Sequence, residues 1–189
     1  MDTDAHDPHA GHSGGKTSID SDAAAFLTFN YTSTLKRLYG VPDAHVLHIH
    51  GNADLQDNEL ILGHAWNPIG RRSLNDRHDI ADLDTRLVEV HDILDDYFSR
   101  TFKPAARLIR EHQAFFEYLH SVDTVQVLGH SLSDVDLAYI HALLRVPGIA
   151  GARWLVACRS DRDGEAKCAR LAAIGVDAWR VSPVSWADL

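Results

Sequence analysis

The sequence predicts one α/β domain built around a mostly parallel sheet that is flanked by helices. In its last third, short apolar runs alternate with amphipathic helical segments, which is the order typical of right-handed crossovers on a parallel sheet. The 189 residues are enough to bury a sizeable core in one domain. We place this domain at residues 25–189. Residues 1–24 hold almost nothing apolar, so we expect them to form a disordered polar tail.

The first elements of the domain follow directly after the tail. Residues 26–29 have the composition of a strand, and apolar side chains at helical spacing then predict a short helix that ends at Gly40. Further strands are predicted at residues 44–50 and 60–62. The chain therefore opens with a strand, a helix and two more short strands.

A helical insertion is predicted at about residues 66–120. It begins with a loop rich in Gly, Pro and Asn, over residues 66–79. Apolar side chains then repeat at helical spacing from Ile80 to Phe98, and again from Leu108 to Leu119. The two helical stretches are separated by a break at Lys103-Pro104.

The last third gives the clearest pattern. Strands are predicted at residues 122–128, 154–158 and 176–181, because each is a short run of β-branched or aromatic residues. Helices are predicted between them at residues 134–145 and 164–174.

Charge and composition exclude several classes of protein. Asp and Glu number 27 against 18 Lys and Arg, and the net charge of -9 argues against binding nucleic acid or an anionic membrane through bulk electrostatics. No apolar run approaches the ~20 residues that a membrane span needs. The 2 cysteines exclude a disulfide framework, so we expect a cytoplasmic protein without a membrane partner. The 13 histidines are more than such a domain ordinarily needs.

Two strand-to-helix junctions are candidate binding sites, because ligands of open parallel sheets bind beyond the carboxyl ends of the strands. One junction is residues 29–32, with sequence FNYT, and the other is residues 129–136, with sequence GHSLSDVD. Unpaired backbone N–H groups at such junctions suit a phosphate. The alternative interpretation of both junctions is that these residues only end a strand and begin a helix, without binding a ligand.

Two histidines at the end of a strand form a third candidate. His48 and His50 are expected on one face of the strand because side chains alternate with a period of two, and Gly51 lets the backbone turn. Imidazoles suit proton transfer near neutral pH or metal ligation. A metal site that adds His64 and His130 is an alternative, but no helical His pair or Cys-x-x-Cys supports it, and we assign no metal ligands.

Taken together, four motifs closely resemble those of the AbiH family of bacteriophage abortive-infection proteins. The likeness runs from about Phe26 to the final strand and includes the break at Lys103-Pro104. It implies a cytoplasmic phage-defence protein, with a phage protein as a trigger. The motifs occur in this order: FNYT at residues 29–32, HIHG at 48–51, LGH at 62–64 and GHSLSDVD at 129–136.

The same motifs are more distantly similar to those of sirtuin-like domains. That resemblance implies a Rossmann-type fold with NAD as the ligand. By motif, Asn30 would position a water or the ribose, and His50 would act as the general base. Gly129 and Ser131 would line the nucleotide crevice. Further residues of the same turns are expected at the nucleotide: Thr32, Gly51, His130, Asp134 and Asp136.

The sequence departs from the family pattern at its beginning. Family members open with a Gly-rich strand-turn-helix that supplies the first half of the dinucleotide fold, and residues 1–24 contain no such strand. We therefore expect the first nucleotide-binding unit to be missing, as in a truncated member or one without turnover. The cysteine or zinc module of deacylating sirtuins is also absent, so protein deacetylation is not expected.

Three functions follow as hypotheses. The first is a phage-defence protein that binds or hydrolyses NAD, as a monomer or a homo-oligomer. The second is a non-catalytic sensor that binds a nucleotide or a phage protein through the same crevice. The third is a metal-dependent hydrolase that uses His48, His50, His64 and His130.

Overall fold

Parallel strands and flanking helices make up the computed structural model, which describes residues 24–56, 59–65 and 70–188. The strands form two sheets, and every strand pair in them is parallel. The α/β class with parallel sheets is thereby confirmed. The smaller sheet pairs β1 (Phe26–Thr28) with β2 (Val46–His48), and the larger has the order β3 (Thr124–Val127), β4 (Arg153–Cys158) and β5 (Val181–Ser185).

Helices connect and cover these strands. The described α-helices are α1 (Thr34–Tyr39), α2 (Thr85–Arg100), α3 (Ala105–Glu111), α4 (Gln113–Tyr118), α5 (Leu137–Leu144), α6 (Pro147–Gly151) and α7 (Asp161–Ala173). The stop predicted for α1 is confirmed, because Gly40 caps the helix in the left-handed conformation. None of the helices in the described ranges is both long and apolar enough to cross a bilayer.

The main core lies around the larger sheet. Trp154 and Val156 point to the same side of β4 and are fully buried, as is Leu171 of α7. Helix α5 contributes Ile140 and Leu143 to the same cluster. Burying apolar side chains of this size contributes ~1.5–3 kcal/mol each, so this cluster is the main source of stability for the larger sheet.

A second core cluster connects the smaller sheet to the helices. Ile49, which follows β2, packs with Leu108 of α3 and Tyr139 of α5. Leu27 of β1 contacts both core clusters, so β1 lies between them. This packing fixes the carboxyl ends of β1 and β2 against α5.

Two predicted strands are wrong. Residues 60–62 form no strand, although the Ile61 N–H donates to the His50 carbonyl at 2.9 Å. The final strand begins at Val181 rather than Val176, because the buried Val176 lies in a turn that follows Gly175. Pro183 lies inside β5, where it is tolerated because β5 is an edge strand with one neighbour.

Some predictions fall outside the described residues or differ in detail. Residues 1–23 of the predicted tail and residues 66–69 of the predicted loop lie outside the described ranges. Helix α6 was not predicted, although its Pro147 occupies a favoured first position of a helix. The predicted helix at 134–145 begins as a 3₁₀ turn over Asp134–Asp136 and continues as α5.

Candidate functional site

The carboxyl ends of β1, β2 and β3 meet around one aromatic ring. The ring of Phe29, directly after β1, lies 5.7 Å from the imidazole of His50 and 4.4 Å from that of His130, between ring centroids. Tyr139 of α5 completes the contact, 5.6 Å from the same ring. The structure therefore brings together three segments that are far apart in the sequence. We call this group the Phe29 cluster, and it consists of Phe29, His50, Lys103, His130, Asp136 and Tyr139.

His50 is almost completely buried, with 1% of its surface exposed. Its Nε2 atom shares a hydrogen bond of 3.1 Å with the Tyr139 hydroxyl. Burial lowers the pKa of His50 from 6.5 to about 4, and the positive charge of Lys103 acts in the same direction. The Asp136 carboxylate and the nearby Phe29 carbonyl oppose the shift. His50 is therefore uncharged at neutral pH.

His130 is held in one tautomer by the backbone of its own turn. The Leu132 N–H donates to Nδ1 at 2.9 Å, so the neutral ring carries its proton on Nε2. That nitrogen faces Asp136, with Oδ2 at 3.3 Å, although the contact lacks hydrogen-bond geometry. Because Nδ1 is already occupied as an acceptor, His130 has no lone pair left for a general base.

Asp136 is the buried anion of the cluster. Burial raises its pKa, but the nearby His130 and the charge of Lys103 outweigh this effect and leave the pKa below its usual value. Lys103 lies before α3, and its Nζ is 3.7 Å from Oδ1 of Asp136. Both side chains are 13% exposed. Asp136 is therefore an ionised carboxylate at neutral pH. Burial raises the pKa of Tyr139, and the charge of Asp136 adds to this effect.

The turn after β3 adopts a strained backbone. Gly129 has a φ of 65°, and Leu132 has a φ of 55°. Among the described residues, Leu132 is the only non-glycine residue with a positive φ. Such a conformation costs a branched residue ~1–3 kcal/mol, and surrounding structure has to enforce it. Full burial of Leu132, together with its N–H bond to His130, enforces it here. The strain thus serves to place His130 beside Phe29.

The remaining predicted residues of the two junctions lie on the outside of the turns. Asn30 is exposed, and its backbone carbonyl contacts Nδ1 of His48 at 3.0 Å. The Thr32 hydroxyl is paired with that of Thr34 at 2.9 Å. Ser131 is exposed, and Asp134 forms an ion pair with Arg170 of α7.

The four histidines of the metal hypothesis do not come together. His48 contacts the Asn30 carbonyl, and Nε2 of His64 lies 2.8 Å from the Phe98 carbonyl, whereas His50 and His130 flank Phe29. Across the described ranges, no group of three or more His, Cys, Asp or Glu side chains is placed to hold a metal ion.

A large open cleft lies beside the cluster rather than in it. It has a volume of about 1040 Å³ and is bordered by β2, α1 and α3. Gly51 and His48 line it, whereas His50, His130 and Asp136 do not. Size alone therefore favours this cleft as a binding site, whereas the buried polar groups favour the Phe29 cluster. The cluster is the better candidate because it holds a largely buried ion pair and buried polar atoms without hydrogen-bond partners, whereas the cleft is wide open.

Sequence reasoning missed two members of the cluster, Lys103 and Tyr139. The sequence places Lys103 only at a break between two helices and gives Tyr139 no role within the helix predicted at residues 134–145. A signal was present in both cases. A lone Lys beside a helix-breaking Pro and a Tyr in an otherwise apolar helix each have a polar atom that needs a partner once buried.

Comparison with known families agrees with the motifs described above. The family model for Bacteriophage abortive infection AbiH matches residues 4–158, a range that includes every member of the Phe29 cluster. No curated protein and no solved structure matches the chain. Since the match covers most of its length, the chain belongs to the AbiH family of bacteriophage abortive-infection proteins.

Proposed function

We propose that this AbiH-family protein acts in phage defence by binding NAD, or a related nucleotide, at the Phe29 cluster and hydrolysing its nicotinamide–ribose bond. Family membership implies the abortive-infection role. The ligand and the reaction are proposals that rest on the chemistry of the cluster. The position of the cluster supports them, because ligands of parallel sheets bind beyond the carboxyl ends of the strands.

One observation carries the proposal. Three buried polar atoms of the cluster make no hydrogen bond with the described residues: Nδ1 of His50, Nε2 of His130 and Oδ1 of Asp136. Buried polar atoms in folded proteins almost always have a partner, because leaving one unpaired costs ~1–3 kcal/mol. A polar ligand bound beside Phe29 would supply the missing partners.

The reaction places distinct demands on these side chains. In hydrolysis, the oxygen of a water forms a bond to the ribose C1′, and the bond from C1′ to the nicotinamide nitrogen breaks. Nicotinamide leaves as a neutral molecule with the bonding electrons, and the water gives up a proton. Because the transition state resembles an oxocarbenium ion, the ionised Asp136 would stabilise its positive charge. His50 would accept the proton of the attacking water.

The test is nicotinamide release by the purified protein incubated with NAD, with and without phage lysate. We expect release by the wild type and a loss of ~10²-fold or more in His50→Ala, the typical contribution of a general base. The matched control is His141→Ala, because His141 is an exposed histidine on α5. No release under either condition would refute the enzymatic proposal.

A second candidate function is a non-catalytic nucleotide sensor, and the pKa of His50 favours it. A histidine with a pKa of about 4 is a weak base, whereas efficient general bases have pKa values near the working pH. A sensor would bind NAD at the same cluster without releasing nicotinamide. Binding without turnover, together with loss of phage protection in His50→Ala, would identify this function.

A further inference from the structure

Lys103 and Asp136 carry opposite charges, but their charged atoms are not in direct contact. Their charged atoms, Nζ and Oδ1, are 3.7 Å apart, and both side chains are largely buried. This distance is too long for a direct hydrogen bond. Oδ1 accordingly makes no hydrogen bond with any described residue. The pair is therefore held by charge, and Oδ1 is left without a hydrogen-bond partner among the described residues.

The other oxygen of Asp136 is held by its own turn. Oδ2 accepts a hydrogen bond of 3.4 Å from the Ser133 hydroxyl and faces Nε2 of His130 at 3.3 Å. These contacts fix the plane of the carboxylate. Oδ1, which lies beside Lys103, is thus the carboxylate oxygen without a hydrogen-bond partner among the described residues.

A further buried polar atom without a hydrogen-bond partner lies on a neighbouring side chain. His50 is 1% exposed, its Nε2 is engaged by Tyr139, and its Nδ1 makes no hydrogen bond within the described ranges. The charges of Lys103 and Asp136 both act on His50, so the three groups are neighbours. The Phe29 carbonyl is close enough to raise the pKa of His50, but it does not form a hydrogen bond of good geometry with Nδ1, so this buried atom can accept a further partner.

The charges of the pair select the kind of group that fits. A carboxylate only accepts hydrogen bonds and an ammonium only donates them, so the group between them has to donate to one and accept from the other. A hydroxyl does both with one oxygen, at ~2.8 Å from each partner. A charged group, whether a phosphate or a cation, would be attracted by one member of the pair and repelled by the other, so neither is favoured over a neutral hydroxyl.

We propose that Lys103 and Asp136 bind a ribose hydroxyl of the nucleotide, so that the site recognises the sugar rather than the phosphates. This inference deepens the proposed function and rests on it. In NAD, the riboses carry the hydroxyls, the pyrophosphate is anionic and the nicotinamide ring is cationic. Lys103 is then a binding residue contributed by the segment between α2 and α3.

The test measures dissociation constants by calorimetry for ADP-ribose and for an analogue whose distal ribose lacks its 2″ and 3″ hydroxyls. ADP-ribose is the decisive probe because it lacks the nicotinamide carboxamide, which also combines a donor with an acceptor. We expect the wild type to bind ADP-ribose ~10-fold to 100-fold more tightly than the analogue. In Lys103→Met this preference should fall to within ~3-fold. The control is Lys36→Met, since Lys36 is exposed, lines the open cleft and should leave the preference unchanged.

The outcomes separate the inference from the proposed function. If the wild type binds neither NAD nor ADP-ribose, the proposed function fails and the inference fails with it. If the wild type binds both and Lys103→Met keeps its preference for ADP-ribose, the inference alone is wrong. Weaker binding in Lys36→Met but not in Lys103→Met would also overturn it and would place the ligand in the cleft.

A folding control is needed because removing one partner of a buried ion pair leaves an uncompensated charge. The double variant Lys103→Met/Asp136→Asn removes both charges and keeps the shapes of the side chains. It should fold and should bind ADP-ribose and the analogue equally. A double variant that retains the wild-type preference refutes the inference even if the single variant does not fold.

Discussion

The buried state of His50 makes the stability of the protein depend on pH in a defined direction. The folded protein holds the pKa of His50 at about 4, whereas the unfolded chain has the ordinary value of 6.5. As the pH falls below ~6.5, His50 binds a proton in the unfolded state but not in the folded state, so the free energy of unfolding decreases. The loss continues until the pH reaches the folded pKa.

The size of the effect follows from the difference between the two pKa values. Each tenfold difference in proton affinity is worth ~1.4 kcal/mol, so the full loss is about 3 kcal/mol by pH ~4. By pH ~5 the expected loss is about 2 kcal/mol. Asp136 contributes little between pH ~7 and pH ~5, because its stabilisation is lost only as the pH falls past the unfolded value of 3.8 toward the lower folded pKa.

Urea unfolding at pH ~7 and pH ~5 measures this loss, because urea leaves the ionic strength unchanged. Wild type is compared with His50→Gln, which cannot titrate, and with His141→Gln, which removes an exposed histidine. The wild type and His141→Gln should lose about 2 kcal/mol more than His50→Gln between the two pH values. Equal losses in all three proteins would show that His50 is not held uncharged by burial.

Two further predictions concern packing and loop anchoring. A methyl group at Gly148 would approach the His120 carbonyl to 2.4 Å, whereas Gly151 in the same helix has open space. In urea unfolding, Gly148→Ala should therefore lower the free energy of unfolding by ~1–3 kcal/mol, and Gly151→Ala should change it little. Equal effects of the two substitutions would refute this close packing at Gly148. Asp95 accepts hydrogen bonds from Ser73 and the Leu74 N–H, whereas its neighbour Asp96 pairs only with Arg100 along α2 among the described residues. Asp95→Ala should therefore raise amide hydrogen exchange in residues 71–75 while Asp96→Ala should not, and unchanged exchange in both would contradict this anchoring.

Local patterns were enough to predict most of the fold. Gly40 ends α1, a continuous apolar run marks β4, and the order of elements in the last third indicates parallel strands. Patterns failed where long-range packing decides the structure. Val176 looks like a strand residue because it is apolar and β-branched, but it fills the core from a turn. Likewise, β5 contains Pro183, which a strand tolerates here only because β5 lies at the edge of the sheet.

The candidate site could be predicted only in part for the same reason. The turns at strand ends were recognisable because they combine Gly with polar residues at short spacing. The partner of His50 was not, because Tyr139 lies 89 residues away in the sequence. Lys103 likewise reaches Asp136 only through the packing of α3 against α5. No local spacing rule connects residues that meet in this way.

The central claim, that a nucleotide binds at the Phe29 cluster, is tested most directly by NMR of the histidine rings. The 13 histidines are labelled in the wild type, and the signals of His50 and His130 are assigned with His50→Gln and His130→Gln. On addition of NAD we predict shifts for His50 and His130, and none for His48 and His112, which line the open cleft. Shifts confined to His48 and His112, or no shift at all, would contradict the claim.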